Sequence, residues 1–84
     1  MNRSESLIYV GPSLERIVQE GTVFRNGYPD TFKRVLSSYP FLQELIVPVK
    51  TLAEVKKSIR NPESNISMVY RKAEKIRREN NYVI

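Results

Sequence analysis

Residues 21–40, GTVFRNGYPDTFKRVLSSYP, limit most strongly what this chain can fold into, because glycine and proline divide them into short elements. The β-branched and aromatic residues of 22–25 favour a strand, and Asn26-Gly27 predicts a turn because both residues tolerate positive φ. Pro29-Asp30 is typical of a helix start, since proline is pre-organised for the first turn and aspartate complements the helix dipole. Pro40 ends that helix, because it disfavours helical geometry at the residue before it. These glycines and prolines are therefore assigned to corners of the fold rather than to a ligand loop.

The remaining apolar patterns predict two further strands and two further helices. Residues 7–10 and 45–49 are runs of β-branched, aliphatic and aromatic residues, which favour strands. Pro48 requires the second of these strands to lie at a sheet edge or to end there, because proline donates no hydrogen bond to a neighbouring strand. Apolar residues at helical spacing predict helices over 51–60 and 64–78.

Two of the predicted helices carry candidate capping residues. Thr51 and Glu54 have the spacing of a capping box, in which each side chain bonds a backbone N–H of the first turn. For the third helix the pattern leaves three candidate caps open, Asn61, Ser64 and Ser67.

Residues 13–20 permit two interpretations. Leu14, Ile17 and Val18 fit one face of a helix, with Gly21 as a possible C-terminal cap. The same residues also fit an extended connection between two strands.

Together these elements predict a small α+β fold, in which a two- to three-stranded sheet is covered by two to three helices, the first of them over 30–39. A single domain is expected over 7–78, with a disordered tail at 1–6 and a C-terminal tail at 79–84. The apolar end, 82–84, is expected to be disordered, with pairing to a sheet edge as the alternative. The predicted core consists of Leu7, Tyr9, Val23, Phe24, Phe32, Leu36, Leu45, Val47, Leu52, Val55, Ile59, Val69 and Ala73.

The chain contains neither cysteine nor histidine. Disulfides and Ser-His or Cys-His nucleophiles are therefore excluded, and the two strongest transition-metal ligands are missing. We expect no catalytic residue, no cofactor and no metal site, and hence no enzyme. No apolar run approaches the length of a membrane-spanning helix, and no signal peptide is readable, so the expected location is the cytoplasm, that of the host cell if the protein is phage-encoded.

Positive charge is concentrated in the C-terminal part of the chain. Residues 1–49 contain five basic and five acidic side chains, whereas 50–84 contain nine basic and four acidic ones and so carry the whole net charge of +5. Four cations on the polar side of the third helix are candidate contacts for an anionic partner: Arg71, Lys72, Lys75 and Arg78. The alternative, which we favour, is a solvated helix face, because nucleic-acid recognition needs more than a charged side.

Tyr28 is the candidate aromatic anchor for a protein interface, because it follows the predicted turn and aromatic anchors dominate many interfaces. It could equally pack against its own helix.

Several motifs in order along the chain resemble a group of small proteins of unknown function encoded in phage and prophage structural-gene regions of Gram-positive bacteria. These motifs are YVGP at 9–12, TVF at 22–24 with NG at 26–27, YPFL at 39–42, LIVPV at 45–49, LAE at 52–54 and NP at 61–62. The resemblance implies a compact α+β accessory protein with a protein partner, such as a virion-assembly component, and carries no catalytic residues.

The first functional expectation is thus a non-enzymatic protein-interaction module that binds a protein partner or itself. The alternative is a nucleic-acid-binding accessory protein that uses the basic C-terminal helix. The first predicts binding that survives elevated salt, and the second predicts binding that falls steeply with salt.

Overall fold

The computed structural model describes residues 6–14 and 16–80, and the side chains among them up to Ile76. Its elements, in chain order, are β1 (Leu7–Tyr9), β2 (Val23–Phe24), α1 (Asp30–Ser38), β3 (Ile46–Pro48), α2 (Leu52–Arg60) and α3 (Asn65–Asn80), with 3₁₀ helices at Pro40–Leu45 and Val49–Thr51. The small α+β fold that the sequence predicts is confirmed. Of the predicted tails, 1–5 and 81–84 lie outside the described residues.

The sheet is antiparallel, with β1 in the centre and the strand order β2-β1-β3. Leu7 is opposite Phe24 on one side and Pro48 on the other. Pro48 is the last residue of an outer strand, which confirms the position predicted for it. One further backbone hydrogen bond joins the residues next to β1 and β3: the Val49 N–H, just after β3, donates to the carbonyl of Ser6, just before β1, at 3.1 Å.

The 3₁₀ helix Pro40–Leu45 lies at the centre of the packing, although the sequence predicts no helix there. It contacts α1, α3 and β3. Leu42 and Leu45 are both 0% exposed, and the Leu45 carbonyl accepts a hydrogen bond from the Val10 N–H at 2.8 Å. Leu45 was predicted to begin a strand, but the strand starts one residue later because Leu45 completes the 3₁₀ turn.

An aromatic cluster joins α1 to the sheet. The Phe32 ring stacks on Phe24 with centroids 5.3 Å apart, and it meets Tyr9 edge to face at 5.9 Å. The Tyr9 hydroxyl donates to the Pro12 carbonyl at 2.9 Å, so this buried phenol has its polar end satisfied. One face of α1 is thereby committed to the core.

Leu14 and residues 16–20 form a tight hydrogen-bonded turn, so the helical interpretation of this segment is wrong. Leu14 and Val18 exchange backbone hydrogen bonds at 2.7 and 3.0 Å. Between them Arg16 adopts a left-handed conformation with φ of 66°, which an L-residue adopts at some cost. This turn reverses the direction of the chain and buries both Leu14 and Val18.

The predicted core is correct for seven residues, namely Tyr9, Phe24, Phe32, Leu36, Leu45, Val69 and Ala73. Val23 is 45% exposed and lies on β2, an outer strand of the sheet. Five more predicted core residues are only partly buried, namely Leu7, Val47, Leu52, Val55 and Ile59. The core instead includes Ile8 and Val10, since the central strand is covered on both faces, and also Leu14, Val18, Leu42 and Ile76.

The caps of α2 and α3 differ from each other. No side-chain cap bond is made at Thr51, whose hydroxyl donates to the Pro48 carbonyl at 2.8 Å, so the predicted capping box is absent. Ser64 caps α3, because its Oγ accepts a hydrogen bond from the Ser67 N–H at 3.2 Å and donates to the Ser58 carbonyl at 2.6 Å. Asn61 instead forms a local turn, with Oδ1 accepting from the Glu63 N–H.

Candidate interaction surface

Four exposed side chains share one side of α3, namely Met68, Arg71, Lys72 and Lys75, and are called here the outer face of α3. Their spacing of three, four and seven residues places them in one stripe. The opposite side of the helix carries Val69, Ala73 and Ile76, which are buried in the core. The helix therefore separates its packing side from its cationic side, as the sequence predicts.

Lys72 is held by an aromatic ring. Its Nζ lies 4.8 Å from the centroid of Phe41, a residue of the 3₁₀ helix next to α3. Phe41 in turn meets Tyr39 edge to face with centroids 6.1 Å apart. A cation over a ring face is attracted by the ring quadrupole, so Lys72 has a preferred position although it is exposed.

Arg71 is held by hydrogen bonds. Its Nη1 donates to the Ser67 Oγ at 3.2 Å, and its Nη2 makes a longer contact of 3.4 Å with the Pro62 carbonyl. Ser67 is the one buried polar side chain in the described core, so Arg71 also supplies it with a polar partner. A guanidinium has five N–H donors, so these two contacts use only part of its capacity.

The other two candidate cations differ in what the structure describes. Lys75 is exposed one turn beyond Arg71. Arg78 belongs to α3, but its side chain lies outside the described residues. The cationic surface ends near the start of α3, where the Asn65 amide donates to the Glu44 carboxylate at 3.3 Å.

Tyr28 is not an exposed anchor. Its ring is partly buried and meets Phe24 and Phe32 edge to face, with centroids 4.9 and 5.5 Å away. The structure thus supports the other interpretation of this residue, which is that it packs against its own helix and the sheet.

Met68 is the residue that the sequence reasoning missed. It is 52% exposed, more than the other exposed large apolar side chains among the described residues, Val23 and Val49. Its signal was present in the sequence, because it is displaced from the apolar stripe of α3 and precedes Arg71, Lys72 and Lys75 by three, four and seven positions.

A shallow groove lies between α2, α3 and the turn that precedes β2. It encloses about 240 Å³ and is lined by Val10, Glu20, Lys56, Ile59, Arg60 and Tyr70. Tyr70 is half-buried on the side of α3 that faces α2, as expected for a packing residue rather than a stacking platform. The groove carries both charge signs, which distinguishes it from the outer face of α3.

Within the described ranges, the structure brings together no three potential metal-ligating side chains, and no helix there is long and apolar enough to cross a membrane. No protein-family model matches the chain, and no curated protein or solved structure is significantly similar to it.

Proposed function

We propose that this chain is a non-enzymatic protein-interaction module and that the outer face of α3 makes the contact. The observation that supports the proposal is the exposure of Met68, an apolar side chain that is 52% exposed among three cations. Protein interfaces combine an apolar centre with a polar rim, and methionine and arginine are enriched in them. Methionine is also adaptable, because its unbranched thioether packs against surfaces of different shape.

The core of α3 is complete without this residue. Val69, Ala73 and Ile76 already fill the side of the helix that packs on the rest of the chain. Met68 is therefore not part of the buried core, and a polar residue is compatible with folding at that position. This supports assigning Met68 to a function other than stability.

A second candidate function is nucleic-acid binding by the same face. It is favoured by the placement of Arg71, Lys72 and Lys75 on one exposed side, where they could contact successive phosphates. Reversing these charges together with Arg78 would then abolish binding, and affinity would fall steeply as salt is raised.

The proposal extends to origin and location through the resemblance of the sequence motifs. We place the protein among phage- or prophage-derived accessory proteins of the cytoplasm, with a virion-assembly component as a possible partner. Genomic neighbourhood tests this directly: capsid and tail genes on either side support it, whereas a neighbouring replication or repressor gene supports the nucleic-acid alternative.

Site-specific photo-crosslinking tests the interaction role. A photoreactive phenylalanine analogue is placed at Met68 in cells that express the chain naturally, and a matched variant carries it at Ser37, which is exposed on α1. We expect discrete protein adducts at position 68 that are absent at position 37 and that persist at elevated salt.

Two outcomes would contradict the interaction role. Identical adducts at both positions would show that the outer face of α3 has no special partner. Adducts to nucleic acid at position 68 would favour the second candidate function.

A further inference from the structure

The outer face of α3 has features that restrict what could bind it. Building on the interaction role proposed above, we infer that it recognises an acidic helical segment of a different protein, with an apolar residue that covers Met68.

The spacing defines the complementary pattern. Arg71 and Lys72 lie one turn after Met68, on either side of its position around the helix, and Lys75 lies two turns after it. A partner helix that runs along this stripe presents an apolar residue to Met68 and acidic residues one and two turns away. The matching sequence pattern is an apolar residue at i with Glu or Asp at i+3, i+4 and i+7.

Two of the cations are positioned before any partner arrives. Lys72 rests on the Phe41 ring, and Arg71 is bonded to Ser67 and Pro62. Ordering a long side chain on binding costs conformational entropy, so cations that are already held lose less of it. Such a surface favours a partner with carboxylates at fixed positions over a diffuse anionic one.

A second copy of this chain is a poor occupant. In a symmetric dimer through this face, Lys72 and Lys75 would meet the same cations of the partner copy, and such like-charge contacts are unfavourable. The other described helices offer no acidic row either, since α1 contains only Asp30 and α2 only Glu54 as acidic residues. The partner therefore has a different sequence.

Nucleic acid is also disfavoured as the occupant of this face. Phosphates would satisfy Lys75 and Arg71, but a phosphate backbone provides no apolar surface to cover Met68. An acidic helix satisfies both the cations and the thioether.

A matched pair of peptides tests this inference. The probe is a fluorescent, alanine-rich peptide of about 18 residues with Leu at i and Glu at i+3, i+4 and i+7. The control has the same composition with Leu moved to the opposite side of the helix. By fluorescence anisotropy on the full chain, we expect the matched peptide to bind at least about tenfold more tightly than the control.

Variants of the chain separate the apolar from the charged contribution. We expect Met68→Gln to weaken binding of the matched peptide by about fivefold and Lys75→Glu to weaken it by about tenfold, the second with partial recovery when the facing Glu of the peptide becomes Lys. Lys33→Glu, the same charge reversal at an exposed position of α1, is expected to change affinity by less than about twofold.

Four results would overturn the inference. Equal or undetectable affinity for the two peptides would show that the outer face of α3 does not recognise an acidic helix of this pattern. Tighter binding of a DNA duplex of about 20 base pairs, unaffected by Met68→Gln, would assign the face to nucleic acid. A dimer in sedimentation that Lys75→Glu strengthens or weakens would assign it to a second copy. If crosslinking at Met68 still gave a protein partner that lacks an acidic helix, the interaction role would stand and this inference alone would fail.

Discussion

Helices α1 and α2 have the same length, nine residues, and each has one apolar side, yet they bury very different amounts of it. Phe32 of α1 is 0% exposed and Leu36 is also buried. The apolar side chains of α2, Leu52, Val55 and Ile59, are all only partly buried. An amphipathic pattern thus indicates which side of a helix faces inward, but the elements opposite it determine how deeply that side is buried.

The two helices differ in their neighbours. Rings of β1 and β2 surround Phe32, and the 3₁₀ helix Pro40–Leu45 also contacts α1. In contrast, α2 packs mainly on α3, beside the open groove. We therefore expect α1 to contribute much more to the free energy of unfolding than α2.

The largest expected effect tests α1. Phe32→Ala removes a fully buried ring from the aromatic cluster and should lower the free energy of unfolding by about 3–5 kcal/mol. Urea denaturation followed by circular dichroism measures it, with exposed Lys33→Ala expected within about 0.5 kcal/mol of the wild type. If Phe32→Ala lowered the free energy of unfolding no more than Ile59→Ala does, α1 would not contribute more to stability than α2.

The next effect concerns Gly11, which follows β1 and packs against the end of the 3₁₀ helix. A Cβ at this position would lie 2.5 Å from the Tyr9 hydroxyl and 2.7 Å from Leu45 Cδ1, so the buried neighbours must move. We expect Gly11→Ala to lower the free energy of unfolding by about 1–3 kcal/mol. A thermal melt unchanged from the wild type would show that this part of the core accommodates an extra methyl group.

A smaller effect is expected on α2. Ile59→Ala removes a side chain that is only partly buried, so the loss should be about 1–2 kcal/mol, below the range for full burial. The same urea titration measures it, with exposed Lys57→Ala as the matched control on this helix. A loss of the size expected for Phe32→Ala would show that α2 is as important to the core as α1.

The smallest effect on the free energy of unfolding is expected at Ser64, which connects the end of α2 to the start of α3. Ser64→Ala removes both the cap of α3 and the bond to the Ser58 carbonyl at the end of α2, with an expected cost of about 1 kcal/mol. Ser64→Asp keeps the capping acceptor and should recover part of the loss. Amide exchange in the first turn of α3 reports the local effect, and equal exchange in both variants would argue against the cap.

The boundaries of α1 and α2 could be predicted from the sequence because their signals are local. Pro40 ends α1 at Ser38, one residue before the predicted end, and Asn61-Pro62 follows the last residue of α2. The burial of Ile8 and Val10 could not be predicted in this way. It depends on β1 being the central strand, which is a property of chain pairing rather than of the residues themselves.

Some features of the candidate site could also be predicted from the sequence, and others could not. The side of α3 that carries the cations follows from helical spacing, and Met68 belongs to the same stripe. The positions of Arg71 and Lys72 required the structure, since their contacts Pro62 and Phe41 lie nine and 31 residues away along the chain. The burial of Tyr28 also depends on two other rings that only the fold brings to it.

The α+β class, the approximate extent of each strand and α-helix and the concentration of positive charge after residue 49 follow from the sequence, because propensity, proline and glycine geometry and charge act within a few residues. The structure was needed to show that β1 is the central strand, that Leu42 and Leu45 of the 3₁₀ helix are buried in the core and that Met68 is exposed. These features depend on which distant segments of the chain pack together, because the burial of a residue is set by its neighbours in space rather than by its own segment.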